Sequence, residues 1–309
     1  MSKIVLAKGD CHGDPYDLIA ICDHFRKRNI DLNNVVIFVA GDFGIPWPGH
    51  PQETIDKLTA LDSTGATIIA VLGNHEWWSL VYSMPQGMLY GGNVHQCFFN
   101  NVWYKNIHYV TDPTVMNIDN KSYLLIPGAD SHDIRDGILY GLRPIRAMET
   151  YREWSAENLK NVQEYEDNFV DEHGYYPQFR IDGITWWREE HPQIDKVNEI
   201  LNTYRGKEKF QAVISHDAPG VFAYESQRHK SIWDRYPVTE AERQLEDIYN
   251  KINFKYWVHG HFHSDAISRT DPRVIVSYYV PKVLSENFSL TTDDKYDMIS
   301  SESNYWYDY

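Results

Sequence analysis

Three cysteines, Cys11, Cys22 and Cys97, are too few and too irregularly spaced for a disulfide framework or a cysteine zinc site. A reducing, cytoplasmic setting is the expectation. Long apolar runs are missing as well. The segment MSKIVLAKGDCHGD offers only the four residues Ile4 to Ala7 before Lys8, and no later stretch reaches spanning length. Neither a signal-peptide core nor a membrane partner is expected. Clustered Lys and Arg are also lacking: there are 29 of them against 44 Asp and Glu, for a formal net charge of -15. An electrostatic grip on nucleic acid or anionic lipid needs such clusters, so nucleic-acid binding is not favoured. Bound cations can offset charge locally, which leaves anionic small substrates open.

What is present builds a core. Hydrophobic residues make up 42% of the 309, with 22 Tyr and 10 Trp, far from a disordered composition. One large unit over 1–285 is expected, with two domains as the alternative. Short β-branched runs at Ile4–Ala7, Val35–Ala40, Thr67–Leu72, Ala212–Ile214 and Tyr256–Val258 read as buried strands. Tyr16–Arg28 and Glu53–Leu61 carry apolar residues at helical spacing between them. This is the βαβαβ pattern of a mainly parallel α/β sheet, whose functional loops follow the carboxyl ends of strands. From about 136 to 179 a charged, aromatic stretch reads as an insertion with one or two helices over 149–170. A solvated arm is the simpler role for it, a substrate lid or an oligomer contact the alternatives. Residues 286–309 form a polar, acidic and aromatic tail.

Five clusters follow the apolar runs: Gly9-Asp10-Cys11-His12-Gly13, Gly41-Asp42-Phe43-Gly44, Gly73-Asn74-His75-Glu76, Ser215-His216 and Gly260-His261-Phe262-His263. In an extended segment residues i and i+2 share a face, so Asp10 with His12, and His261 with His263, are each expected to aim at one point. Carboxylate and amide oxygens with imidazole, and no thiolate, suit Mn, Fe, Zn or Mg. Each cluster alone has a plain alternative: a turn for Asn74, a helix cap for Asp42, a satisfied strand histidine for His-x-His. Five at strand ends in one chain favour metal ligation. His24, His50, His95, His108, His132, His173, His191, His229 and His259 sit in no ligand spacing. Asp14 reads as a cap for the first helix, and Asp217 as a residue orienting His216.

With these residues in place, the sequence resembles the calcineurin-like metallophosphoesterase family, whose ordered blocks are D-x-H, G-D-x-x-G, G-N-H-[DE], a lone His and G-H-x-H. The resemblance implies a four-layer α/β/β/α sandwich with the metal site at the strand carboxyl ends. It implies two metal ions per chain, Mn or Fe before Zn or Mg. Asp10, His12 and His263 would hold one, Asn74, His216 and His261 the other, and Asp42 would bridge them. A hydroxide generated there would attack a phosphate ester in line, with His75 as general acid; the alternative for His75 is a structural role beside the metals. Ile45 and Pro46 stand where phosphoprotein phosphatases carry an Asp and a phosphate-binding Arg, which puts that branch in doubt. Pro127 to Asp133 and Arg180 to Trp187 are instead similar to a pattern of small bacterial and phage members. That pattern would place Asp133, Arg180 and Trp186 near the site, with Arg180 and Asp133 as substrate-binding residues and an ordinary structural role for Arg180 as the alternative.

The implied activity is hydrolysis of phosphate esters, foremost monoesters of a phosphorylated substrate. A phosphodiesterase or nuclease using the same centre is the second reading. A non-catalytic scaffold is the third, disfavoured because no ligand and no acid histidine is missing.

Overall fold

Strands buried on both faces carry apolar side chains at every position, and alternate residues then belong to different cores. The protein, described here from a computed structural model, shows this in its first strand. Residues 2–204, 209–227, 237–286 and 288–289 are described. His229 and the tail from residue 290 onward lie outside the described residues. In chain order the elements are β1 (Ile4–Lys8), α1 (Tyr16–Lys27), β2 (Val35–Ala40), α2 (Pro51–Asp62), β3 (Thr67–Val71), α3 (Trp78–Ser83), β4 (Gln86–Leu89), β5 (Gly92–Phe99), β6 (Val102–Val110), β7 (Thr114–Ile118) and β8 (Lys121–Ile126). There follow β9 (Ile138–Leu139), α4 (Tyr151–His173), β10 (Arg180–Ile181), α5 (Ile194–Thr203), β11 (Phe210–Ser215), α6 (Gly220–Ser226), α7 (Glu240–Tyr249), β12 (Phe254–His259), β13 (Ala266–Ile267), β14 (Val274–Val276) and β15 (Lys282–Val283).

Two sheets result, in the orders β15-β1-β2-β3-β6-β5-β4 and β13-β14-β12-β11-β8-β7. Strands β1, β2, β3 and β6 are parallel in the first, and β14, β12, β11 and β8 in the second. Antiparallel strands border both. Val5, Ala7, Val36, Phe38, Ala40, Ile69 and Val71 pack against Tyr123, Leu125, Ala212, Ile214 and Val258 between the sheets. Their sequence neighbours Leu6, Ile37, Val39 and Ile68 face the other way, onto Leu18, Ile21, Cys22 and Phe25 of α1 and Leu58 and Leu61 of α2. Leu124, Ile126, Val213 and Trp257 of the second sheet face Val197 of α5, Phe222 of α6 and Leu245 and Ile248 of α7. This is the four-layer α/β/β/α order that the resemblance implied. It brings the carboxyl ends of all the central strands to one rim. Among the described residues no helix is long and apolar enough to cross a membrane.

The stretch from 136 to 179 forms a single helix, α4, flanked by the two-residue strands β9 and β10, which pair in parallel. Its start is fixed by a capping box between Thr150 and Glu153, and its end by Gly174 at φ 79. The first two turns are not a solvated arm. Trp154 is fully buried in the first core, and its Nε1 donates to the Arg143 carbonyl at 2.6 Å. The Tyr151 N–H donates to the Gly49 carbonyl, in the loop that follows β2. Farther out Val162 still packs half-buried against the first core, and beyond it the helix is polar or exposed apart from Val170 and from Tyr165 and Phe169, which meet Tyr175 and Phe179 in a small aromatic group. A Trp154→Ala substitution is expected to cost about 3–5 kcal/mol of unfolding free energy in chemical denaturation, whereas an exposed change such as Glu164→Ala should stay within about 0.5 kcal/mol.

Candidate metal centre

Asp10 and His12 occupy the turn that leaves β1. The N–H groups of Cys11 and His12 both donate to the Asp42 carbonyl at 2.8 Å, which pins the ends of β1 and β2 together. Asp10 and His12 do converge, but not by strand alternation as expected from the sequence. His12 has φ 47, and His261 and His263 have φ 68 and 48, so the chain turns left-handed at each of them. His261 and His263 consequently point into different clusters instead of sharing one.

The first cluster gathers Asp10, His12 and His263, and the second Asp42, His216 and His261, with the donor atoms of each group within 4.8 Å of one another. His12 Nε2 lies 2.8 Å from His263 Nε2, and Asp10 Oδ2 lies 3.3 Å from His263 Nε2. In the second cluster His216 Nε2 is 3.1 Å from Asp42 Oδ1, 3.1 Å from Asn74 Oδ1 and 3.2 Å from His261 Nδ1. The two carboxylate oxygens of Asp42 divide between the clusters: Oδ1 faces His216, while Oδ2 is 4.0 Å from His12 Nε2. His216 Nδ1 donates to the Ala40 carbonyl at 2.9 Å, which aims Nε2 at the cluster. The residue that orients His216 is thus Ala40, not Asp217, whose Oδ1 accepts from the Ala218 N–H. Asp14 accepts from the Tyr16 N–H at 2.8 Å, an Asx turn at the entrance to α1.

Electrostatics fit a cation here. Burial opposes ionisation of Asp10, yet the imidazoles of His12 and His263 close to its Oδ2 hold its carboxyl well below the ordinary value. Asp42 is likewise buried but kept anionic, chiefly by His216 and His75. Burial lowers His216, and Asp42 and Asp10 outweigh it, carrying the imidazole up to about 10. His261 is driven well down by burial and by His216 and His132. Asp10 Oδ2, which faces the first cluster, is buried with no partner in hydrogen-bond geometry, an arrangement that a positive ion in that cluster would resolve. Glycine permits the crowding: a Cβ on Gly73 would lie 2.3 Å from Asp42 Oδ1, and one on Gly260 2.0 Å from Asp10 Oδ1. Cys11 contributes no donor, since burial pushes its thiol up to about 12.

His75 stands beside the first cluster, its ring 5.3 Å from that of His12 and its N–H donating to Asp42 Oδ1. Arg180 Nη2 lies 2.7 Å from His75 Nε2. A guanidinium only donates, so this nitrogen accepts and the proton of the neutral ring sits on Nδ1. Burial first, then Arg180 and His12, lower His75 to about 4 against the pull of Asp42. Arg180 is itself 4% exposed. Its Nε meets Asp133 at 2.7 Å, and its Nη1 donates to the Asn74 and Thr185 carbonyls. The structure therefore brings both Arg180 and Asp133 to the site, as an ion pair behind His75. Trp186 packs on Tyr140; it is Trp187 that reaches the site's edge, through Trp47, whose ring lies 6.3 Å from that of His75.

Sequence comparison meets this geometry. The sequence model of the family described as calcineurin-like phosphoesterase matches residues 5–265. The chain belongs to this family. It is accordingly a metal-dependent phosphoesterase. No curated protein matches it as a relative. Among solved structures, a dimetal phosphatase from Danio rerio is similar over 92% of this chain and 93% of its own, at 10% identity and a TM-score of 0.43. A protein from Thermus thermophilus is similar over 90% and 91%, at 11% identity and a TM-score of 0.38.

Several residues at the centre of this phosphoesterase went unassigned in the sequence. Lys8 is buried, and its Nζ donates to the Asp10 carbonyl at 2.9 Å and pairs with Asp17. Glu76 receives the N–H groups of Phe43 and Gly44, which ties the Asn74 block to the Asp42 block. Its place beside His75 was the available signal. Ser131 and Glu190 sit behind Asn74. Glu190 gave none, being the second acid in an ordinary Arg-Glu-Glu run. Burial pushes it up to about 8 despite Ser131 and Arg180. A raised carboxyl is neutral in the folded chain and ionised in the unfolded chain between the two values, so unfolding releases a proton there and stability falls as pH rises. With metal chelated, the wild type is expected to lose stability between about pH 5 and pH 8 relative to Glu190→Gln, read as a widening gap in denaturation midpoint.

Proposed function

We propose that the protein hydrolyses phosphate monoesters, with one cation held by Asp10, His12 and His263, a second by Asn74, His216 and His261, and Asp42 shared between them. The observation that carries this reading is the split of the Asp42 oxygens, one facing each cluster. Carboxylate, amide and imidazole donors fit Mn or Fe, with Zn or Mg as alternatives. When bound, such a pair supplies Lewis acidity to a phosphoryl group and neutralises charge that builds on its oxygens.

The protein's own groups do the rest. His75 acts as general acid in its imidazolium form, giving a ring proton to the leaving oxygen of the ester and returning to the neutral ring that Arg180 favours. Arg180 and Asp133 serve the substrate site from behind this ring, by fixing which nitrogen carries the proton. Trp47, half-buried between Pro46 and Pro48, flanks His75 and shields it from water. Residues 1–285 work as one unit in this reading, with 136–179 as an insertion. The buried free thiols of Cys11, Cys22 and Cys97 fit a reducing, cytoplasmic compartment.

One observation favours the diester reading. Arg180, the cation nearest His75, has its guanidinium engaged inside the protein, so it is not a free clamp for the second negative charge of a monoester. Comparing the two ester classes decides this. Chelator-stripped protein restored with Mn, Fe, Zn or Mg singly is expected to regain turnover of an aryl monoester above that of the matching diester. His75→Ala should lower kcat by about 10²–10⁴, and less for leaving groups of low pKa, which need no acid. Asp42→Asn should abolish turnover. Metal-independent turnover, or a stripped protein that takes up no metal, would sink the reading; a diester preference would move it to the second class.

A further inference from the structure

Asn74 carries an amide, and an amide has two ends of nearly identical shape. Only Oδ1 can meet a cation, because the NH2 end has donors and no free lone pair. A buried amide with nothing to tell its ends apart would spend part of its time turned the wrong way. The chain supplies something that does. Asn74 Nδ2 donates to Ser131 Oγ at 3.1 Å, and Ser131 Oγ donates to Glu190 Oε1 at 2.5 Å. Ser131 is 7% exposed and Glu190 3%, so water does not compete for these atoms.

A serine hydroxyl has a single hydrogen. Once that hydrogen is committed to Glu190, only lone pairs face Asn74, and only the NH2 end can satisfy them. Oδ1 is then left at the second cluster, 3.1 Å from His216 Nε2. The relay tolerates protonation of Glu190, because a proton carried on Oε2, the oxygen without a hydrogen-bond partner, leaves Oε1 to accept. Glu190 is itself held by its backbone, whose carbonyl accepts from Ala129 N–H at 2.8 Å, two residues before Ser131. The two ends of the relay are therefore fixed to each other independently of Asn74.

We propose that Ser131 and Glu190 are positioning residues that select one face of the Asn74 amide and thereby set how tightly the second cluster holds its cation. The inference rests on the two-metal reading above and names residues that the reading does not use. It is selective: the first cluster, Asp10, His12 and His263, makes no contact with the relay, so only one of two affinities should move.

The test is titration of the full-length, chelator-stripped protein with Mn²⁺ alone, followed by calorimetry and by the paramagnetic signal of free Mn²⁺. Wild type is expected to bind two ions. Ser131→Ala and Glu190→Leu should weaken one of them by about 10–100-fold and leave the other within about twofold. Glu190→Gln, which keeps an acceptor oxygen, should stay close to wild type, and this rescue separates a hydrogen-bond role from one of packing. Equal weakening of both sites, or unchanged binding in Ser131→Ala and Glu190→Leu, would overturn the inference alone. Fewer than two ions on wild type would overturn the two-metal reading and the inference with it.

Discussion

Asp42 is a carboxylate at 1% exposure whose charge is held by neighbours on every side: the His216 imidazole, the His75 N–H and ring, and His12. An isolated buried carboxylate would neutralise itself by taking a proton, so its environment has to be built around keeping it ionised. Much of the rim follows from that. Its own carbonyl receives Cys11 and His12, Gly73 leaves room for its Oδ1, and Glu76 gathers the N–H groups just after it. The loops after β1, β2 and β3 are thus fitted to one another through a single residue before any substrate is considered.

The sequence displayed the scaffold well, because strands inside an α/β/β/α sandwich are apolar at every position and end abruptly at polar clusters. Val35–Ala40 was legible to the residue and β1, β3, β11 and β12 to within two, whereas β6, β8 and β14 were not read as strands. It displayed the five polar clusters for the same reason. What it concealed was the geometry inside each cluster. Alternation predicted that His261 and His263 share a target, and left-handed backbone at both sends them apart. Arg180 was visible as a functional candidate but not as a buried group, since burial of an arginine depends on partners distant in the chain, such as Asp133 and Asn74. Glu190 was invisible because nothing local marks a single buried acid on a surface turn.

The insertion shows a similar division. Its helical content was readable from composition, but the burial of Trp154 was not, because it follows from contacts with the loop after β2 and with Arg143. The helix is rooted beside Trp47 and Gly49, next to the catalytic rim, while its outer turns carry few contacts. Changes far along it are therefore mechanically remote from the centre, and changes at its root are not.

Each donor cluster mixes the two sheets. Asp10 and His12 follow a strand of the first and His263 one of the second; Asp42 and Asn74 come from the first, His216 and His261 from the second. An ion in either cluster is consequently a rivet through the sandwich. Neither half of the chain carries a complete coordination set, so a nascent chain has no place for the ion until the strands before residue 126 and those after 210 have met. Loading therefore reports that the two sheets have closed, and the loaded protein resists their separation.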